Sequence, residues 1–284
     1  MNLLSDFTIF TQDVIDKTFE ISDKAEEHIH INKASTMKWG CIKNFYKDPV
    51  AVKEFLQKFP VVTQNATQSP GLQQHFPMPA MTALSKVYDY LYGILSKYRY
   101  PINARVSLDN TQSYSDWQTY CNTHWKHMDI SAVSMIPHVD PFNYAFNIWL
   151  TDDNPAGTEF YYHQTNSEHP AAYTQSKITG PGTTARACSI NGNYLPAISG
   201  NWDPDKIDTF FVERGWHRYL TIEPEYNSCT FYPSLFFHKP EWDSRNYKED
   251  LLRYSQVISY RAFHPQGFET VWDNYKKSEE YNIQ

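Results

Sequence analysis

His138 stands out among the eleven histidines because it ends the apolar run 130–137 and is followed by a carboxylate, in Pro137-His138-Val139-Asp140. In an extended segment, residues two apart project to the same side. His138 and Asp140 would therefore present an imidazole and a carboxylate side by side. Two ligands from one strand supply most of a metal site at little cost in chain entropy. Iron(II) accepts imidazole nitrogen and carboxylate oxygen, and two histidines plus one carboxylate on one face leave three positions open. By itself a His-x-Asp pair is a weak signal, since it arises often by chance.

A third ligand has to come from a distant strand. His238 closes the aromatic run 228–238, which stops at Lys239-Pro240. An isolated histidine at the rim of such a run is ordinarily a surface or hydrogen-bonded residue. The next strand changes that reading of His238. Arg253 opens Arg253-Tyr254-Ser255, so that Arg253 and Ser255 share a side of it. A guanidinium fork beside a hydroxyl is a good receptor for a carboxylate, because the fork donates two parallel hydrogen bonds.

The order is His-x-Asp, then a glycine-turn strand at Ala156-Gly157-Thr158-Glu159-Phe160, then a distal His, then Arg-x-Ser. This order resembles the iron(II)/2-oxoglutarate-dependent oxygenase superfamily over roughly residues 103–263. The resemblance implies a double-stranded β-helix (jelly-roll) core and iron held by His138, Asp140 and His238. It implies 2-oxoglutarate anchored by Arg253 with help from Ser255, and oxidative decarboxylation to succinate and carbon dioxide with dioxygen. Halogenating members of that superfamily carry Gly or Ala where Asp140 stands, so retention of the carboxylate points to hydroxylation or a related oxidation.

Asn147, Trp149 and Tyr162 fall on strands expected beside the site. Asn147 is a candidate cosubstrate contact, and Trp149, Tyr162 and Arg186 are candidate substrate contacts; sheet packing is the bland alternative for the first three. Arg186 and Lys177 could catch an anionic group or be solvated loop charges. His217 competes with His238 as distal ligand but has no Arg-x-Ser at a comparable distance. His124 and His127 could bind a metal if helical, and Arg261, with the parity of Arg253, is a second candidate anchor.

The elements that must carry these residues divide at about residue 101. The first hundred residues read as mostly helical, a region packing on the core. Asp48-Pro49 opens one helix, with Val52, Phe55, Leu56 and Phe59 at helical spacing. A longer helix is expected after Pro79, with Ala80, Ala83, Leu84, Val87, Tyr88, Leu91, Ile94, Leu95 and Tyr98 in one stripe packed on the back of a sheet. From 102 to 284 strands are expected over 103–108, 130–140, 143–151, 157–163, 208–213, 228–238 and 253–263. The overall class is α+β, mainly β. A Gly-, Pro- and Ser-rich loop at about 164–206 reads equally as a binding loop or as surface decoration.

Composition bounds the function. The chain has 284 residues, 41% hydrophobic and 20% charged, with 21 Tyr, 17 Phe and 8 Trp. The net charge of -7, without a Lys or Arg run, argues against a nucleic-acid partner. Four scattered cysteines (41, 121, 188 and 229) form no Cys-x-x-Cys pair, and the start of the chain has neither a secretion signal nor a membrane anchor. A cytoplasmic enzyme acting on a small molecule, an amino acid or a peptide side chain is expected. Two other readings stay open: a non-catalytic jelly-roll binding protein, and a metal-assisted hydrolase or isomerase.

Overall fold

The computed structural model describes residues 11–33, 35, 37–59, 61–62, 72–75, 84–98, 117–124, 137–138, 144–152, 157–163, 207–213, 215–234, 236–241 and 254–260. The helices are α1 (Gln12–Thr18), α2 (Pro49–Leu56), α3 (Ser85–Lys97) and α4 (Ile207–Glu213). The strands are β1 (Glu26–Ile31), β2 (Lys38–Lys43), β3 (Val61–Val62), β4 (Leu72–His75), β5 (Trp117–His124), β6 (Tyr144–Trp149), β7 (Thr158–His163), β8 (Trp216–Ile222), β9 (Cys229–Pro233), β10 (His238–Pro240) and β11 (Ser255–Tyr260).

These form two antiparallel sheets. The large one has the order β1-β2-β9-β6-β11-β5-β4-β3, the small one β10-β7-β8. The alternation of side chains along β6 shows how layers stack on the large sheet. Tyr144, Phe146 and Ile148 join the cluster that contains Val52, Leu56, Val87, Leu91 and Leu95 from the helices. Ala145, between them, joins Met37, Phe160, Ile222, Tyr232 and Phe236 on the opposite face, where the small sheet packs. Helices α1–α3 cover one face of the large sheet and the small sheet covers the other, with α4 beside the small sheet.

Local chemistry explains the helix starts. Asp48 accepts a hydrogen bond from Ala51 N at 2.9 Å and Pro49 occupies the first turn, as expected for α2. Helix α3 has no side-chain cap. A cap is worth about 1 kcal/mol, whereas each fully buried Val, Leu or Ile contributes roughly 1.5–3 kcal/mol; the buried stripe Val87, Tyr88, Leu91, Ile94 and Leu95 therefore decides that this segment is helical. No helix among the described residues is long and apolar enough to cross a membrane.

Several sequence expectations change. Among the described residues of the first hundred there are α1–α3 but also β1–β4, and β1 and β2 extend the same sheet that carries β6 and β11. β1 is polar at most positions and exposed, as an edge strand tolerates, so it lacks the apolar alternation that would flag it. The segment 208–213, expected as a strand, lies in α4: Phe211 is buried while Thr209 and Val212 are exposed. A short apolar run does not by itself distinguish strand from helix. The run 228–238 is two strands in different sheets, broken after Pro233, which has no N–H to continue the ladder. His238 therefore opens β10 rather than ending a long strand. β5 and β8 lie outside the expected strands, and His124 lies in β5, not in a helix. The expected strand at 103–108, most of that at 130–140 and the loop 164–206 lie outside the described residues.

Gly157, entering β7, has a structural necessity. A Cβ there would lie 2.0 Å from the Ile222 carbonyl oxygen of the neighbouring strand, a backbone atom that cannot swing away. Gly157→Ala is expected to cost roughly 1–3 kcal/mol as an overpacked contact. That corresponds to a fall of roughly 2–10 °C in Tm, measurable by thermal melting followed by circular dichroism.

Candidate metal and cosubstrate site

Strand β10 is short, and its side chains alternate between the two faces of the small sheet. His238 turns toward the large sheet: its ring lies 5.1 Å from that of Tyr232 on β9 and 6.0 Å from that of Phe160 on β7. Opposite it sits His138. The two residues exchange backbone hydrogen bonds, His138 N to His238 O at 2.9 Å and His238 N to His138 O at 2.8 Å. Their rings are 4.8 Å apart, and both residues are buried, at 8% and 4% exposure. Imidazole nitrogens bind first-row metal ions at about 2.1 Å, so two rings at this separation are within reach of one ion.

The hydrogen bonding of His238 fixes its tautomer. Nδ1 lies 2.8 Å from the Phe236 carbonyl oxygen, which can only accept, so Nδ1 carries the proton and donates. With Nδ1 donating, Nε2 is the ring nitrogen left to offer a lone pair to a metal ion. An imidazole oriented by donating its other N–H to a backbone carbonyl is the usual arrangement of a metal-ligating histidine. The residues present thus fit a metal ion.

The face of the large sheet beneath these rings carries the other site candidates. Asn147 and Trp149 alternate with the core-facing residues of β6, and Ser255 pairs with Trp149 across β11. Asn147 Nδ2 donates to Tyr232 Oη at 3.3 Å, and Trp149 Nε1 donates to Thr230 Oγ1 at 3.2 Å. Ser255 Oγ is buried, with the residue at 1% exposure, and has no hydrogen-bond partner among the described residues. A buried hydroxyl left unsatisfied costs about 1–3 kcal/mol. Its position fits a carboxylate acceptor that would meet it.

Tyr162 is half-buried on β7 and stacks on His217 of β8 at 5.2 Å, the two being cross-strand partners. His217 thus sits beside Tyr162, and it is His238, not His217, that faces His138. Asp140, Arg253, Arg186, Lys177, His127 and Arg261 lie outside the described residues. Among those described, no group of three metal-ligating side chains gathers. Sequence reasoning does not single out Tyr232, which touches both His238 and Asn147. Its parity with Thr230 on a strand beside β6 is the available signal.

Behind the site, on the far face of the small sheet, lies a charge cluster whose centre, Glu159 and Lys239, is buried and whose Arg218 reaches solvent. Glu159 accepts from Lys239, from Arg218 and from Tyr161 Oη, the last at 2.8 Å. Lys239 is fully buried, with Phe211 and Tyr161 rings 5.6 and 5.4 Å from its ammonium. Burial pushes the Glu159 carboxyl up, but Lys239, Tyr161 and Arg218 together outweigh that and hold it below the ordinary carboxylate range.

No family model matches the chain, and no curated protein matches it. Three solved structures similar to it are a non-heme alpha ketoglutarate dependent carbocyclase, SnoK, and a non-heme alpha ketoglutarate dependent epimerase, SnoN, both from nogalamycin biosynthesis, and ycfD of E. coli. Identities are 12%, 11% and 11%, with TM-scores of 0.41, 0.37 and 0.37. The matches cover 82%, 82% and 90% of this chain and 85%, 83% and 59% of the others.

Proposed function

We infer that this chain is a non-haem iron(II), 2-oxoglutarate-dependent dioxygenase of the hydroxylating type, with His138, Asp140 and His238 as the metal ligands. The observation that carries this reading is the opposed pair His138 and His238, with the tautomer of His238 fixed by the Phe236 carbonyl. Asp140 belongs to it by its spacing from His138. We read the fold as a jelly roll, because successive strands alternate between the facing sheets, β7 and β8 in the small, β9 in the large, β10 in the small, β11 in the large.

Each residue then has a task. The two imidazoles and the Asp140 carboxylate would hold the ion. Arg253 and Ser255 bind the distal carboxylate of 2-oxoglutarate, the guanidinium as a fork and Ser255 Oγ as a third donor. Asn147, tied to Tyr232, lines the same face and orients the cosubstrate. Trp149, fully buried and bonded to Thr230, keeps water out from beneath. Iron(II) with 2-oxoglutarate and dioxygen, when bound, supplies a C–H-oxidising equivalent coupled to loss of carbon dioxide. Tyr162, and Arg186 from the long loop, are the residues we propose for substrate contact, the substrate being a small molecule or an amino-acid or peptide side chain.

The test is succinate formation from 2-oxoglutarate by iron(II)-loaded protein under air, alongside direct cosubstrate binding. A metal-assisted hydrolase or a non-catalytic binder would neither bind nor consume 2-oxoglutarate, and that result would end the reading. Ser255→Ala offers a sharper check. Removing an unsatisfied buried hydroxyl should leave the Tm of the metal-free protein unchanged or raised, while weakening 2-oxoglutarate binding by roughly tenfold or more, the value of one charge-assisted hydrogen bond. Parallel loss of both would mean that Ser255 only packs.

A further inference from the structure

The pairing of β10 with β7 is what keeps His238 on the inner face, and its backbone bonds, such as Tyr161 N to Phe237 O and Glu241 N to Gly157 O, do not choose the register, since nearly every residue offers the same donor and acceptor. β10 has three residues, His238, Lys239 and Pro240, opposite Phe160, Glu159 and Thr158. Pro240 has no N–H to give. The apolar pattern discriminates weakly too. Phe236 is buried between the sheets and Phe237 is buried on the far side against Trp216, so a shift by one residue would exchange one phenylalanine for another. Such a shift turns every side chain to the opposite face. His238 would then leave His138, and Lys239 would enter the site.

The buried charges resist this shift. Lys239 and Glu159 are direct cross-strand partners, at 0% and 1% exposure. In the shifted register the ammonium would sit against Phe160 and Tyr232, without its carboxylate. A buried ion pair adds little net stability relative to apolar residues of similar volume, yet separating its members is costly. That asymmetry suits a device that selects one register rather than one that stabilises the fold. We propose that the Lys239–Glu159 pair is a register lock, a positioning element that holds His238 opposite His138. Its purpose rests on the metal site proposed for His138 and His238, but its action does not.

The geometry allows a metal-free test. Residues 138 and 238 form a hydrogen-bonded antiparallel pair, in which Cα atoms are about 5.5 Å apart. That is within the span a disulfide bridges. The double variant His138→Cys/His238→Cys is oxidised, and the 138–238 bond is quantified by peptide mapping. The same is done with Glu159→Met/Lys239→Met added, and with Lys239→Met alone, where Glu159 keeps Arg218 and Tyr161. The lock predicts near-complete bonding in the first protein and a several-fold lower rate and yield in the other two, although the Tm of the Glu159→Met/Lys239→Met protein is not reduced. Equal bonding in all three overturns it. Cobalt(II) titration of the chains that keep both histidines runs in parallel. Failure of the unmodified chain to bind cobalt would sink the metal site and leave the lock standing on the disulfide result.

Discussion

His238→Ala, like His138→Ala, is expected to abolish retention of iron(II), whereas His217→Ala leaves it unchanged. The first two lose one of three protein ligands, and the loss should exceed the roughly 10- to 100-fold that removing an outer-shell partner typically costs. The third loses a ring that stacks on Tyr162 and does not face His138. The fold should survive all three. The two sheets are joined by Phe160, Tyr232, Phe236 and Met37, all of which these changes leave in place, although His238→Ala removes a ring packed on Tyr232. Metal content after desalting, measured by atomic spectroscopy beside a thermal melt, checks the set. Equal loss in all three variants would mean that the distal ligand has been misassigned. Iron retained by both His138→Ala and His238→Ala would mean that the opposed imidazoles serve packing.

Arg253→Met is expected to leave iron retention intact and to remove 2-oxoglutarate binding. A hydrogen bond to a charged group contributes about 1.5–3 kcal/mol. Losing a two-pronged fork should therefore weaken the cosubstrate on the order of 100- to 10,000-fold. Methionine keeps much of the volume of the arginine stem, so packing changes little. The separation matters because a hydrolase built on the same three ligands would keep its metal and be indifferent to Arg253. Calorimetric titration of 2-oxoglutarate into the metal-loaded variant reads the effect. If Arg253→Met binds as the unmodified chain does and Arg261→Met does not, the anchor is the other arginine.

The parts of the fold that can be read in the sequence are those governed by local rules. The cap and proline of α2 sit at adjacent positions, and the α3 stripe repeats every three to four residues, so both helices are visible there. Alternation puts Asn147 and Trp149 on one face of their strand, and they share it with Ser255 across the pairing. What escapes depends on partners far along the chain. The continuous aromatic run through Cys229 and Phe237 hides the change of sheet after Pro233, since both halves bury rings on each of their sides: Tyr232 and Phe236 meet between the sheets, Phe231 packs under the helices and Phe237 against Trp216. Gly40 has the look of a strand breaker, yet its lack of a Cβ makes room for the Phe231 ring, which a Cβ would meet at 2.3 Å. The Glu159–Lys239 pair joins residues eighty positions apart, and nothing near either one announces the other. The candidate ligands are legible as residue types. That His138 and His238 face each other becomes visible only with the small sheet assembled.

The most direct test of the proposed iron and 2-oxoglutarate site is a titration of 2-oxoglutarate, under nitrogen, into the chain loaded with iron(II), into the metal-free chain, and into His238→Ala. The expected result is saturable one-to-one binding to the loaded chain, and binding at least tenfold weaker to the other two. Binding that is equally tight with and without metal, or absent from the loaded chain, would contradict the proposed site.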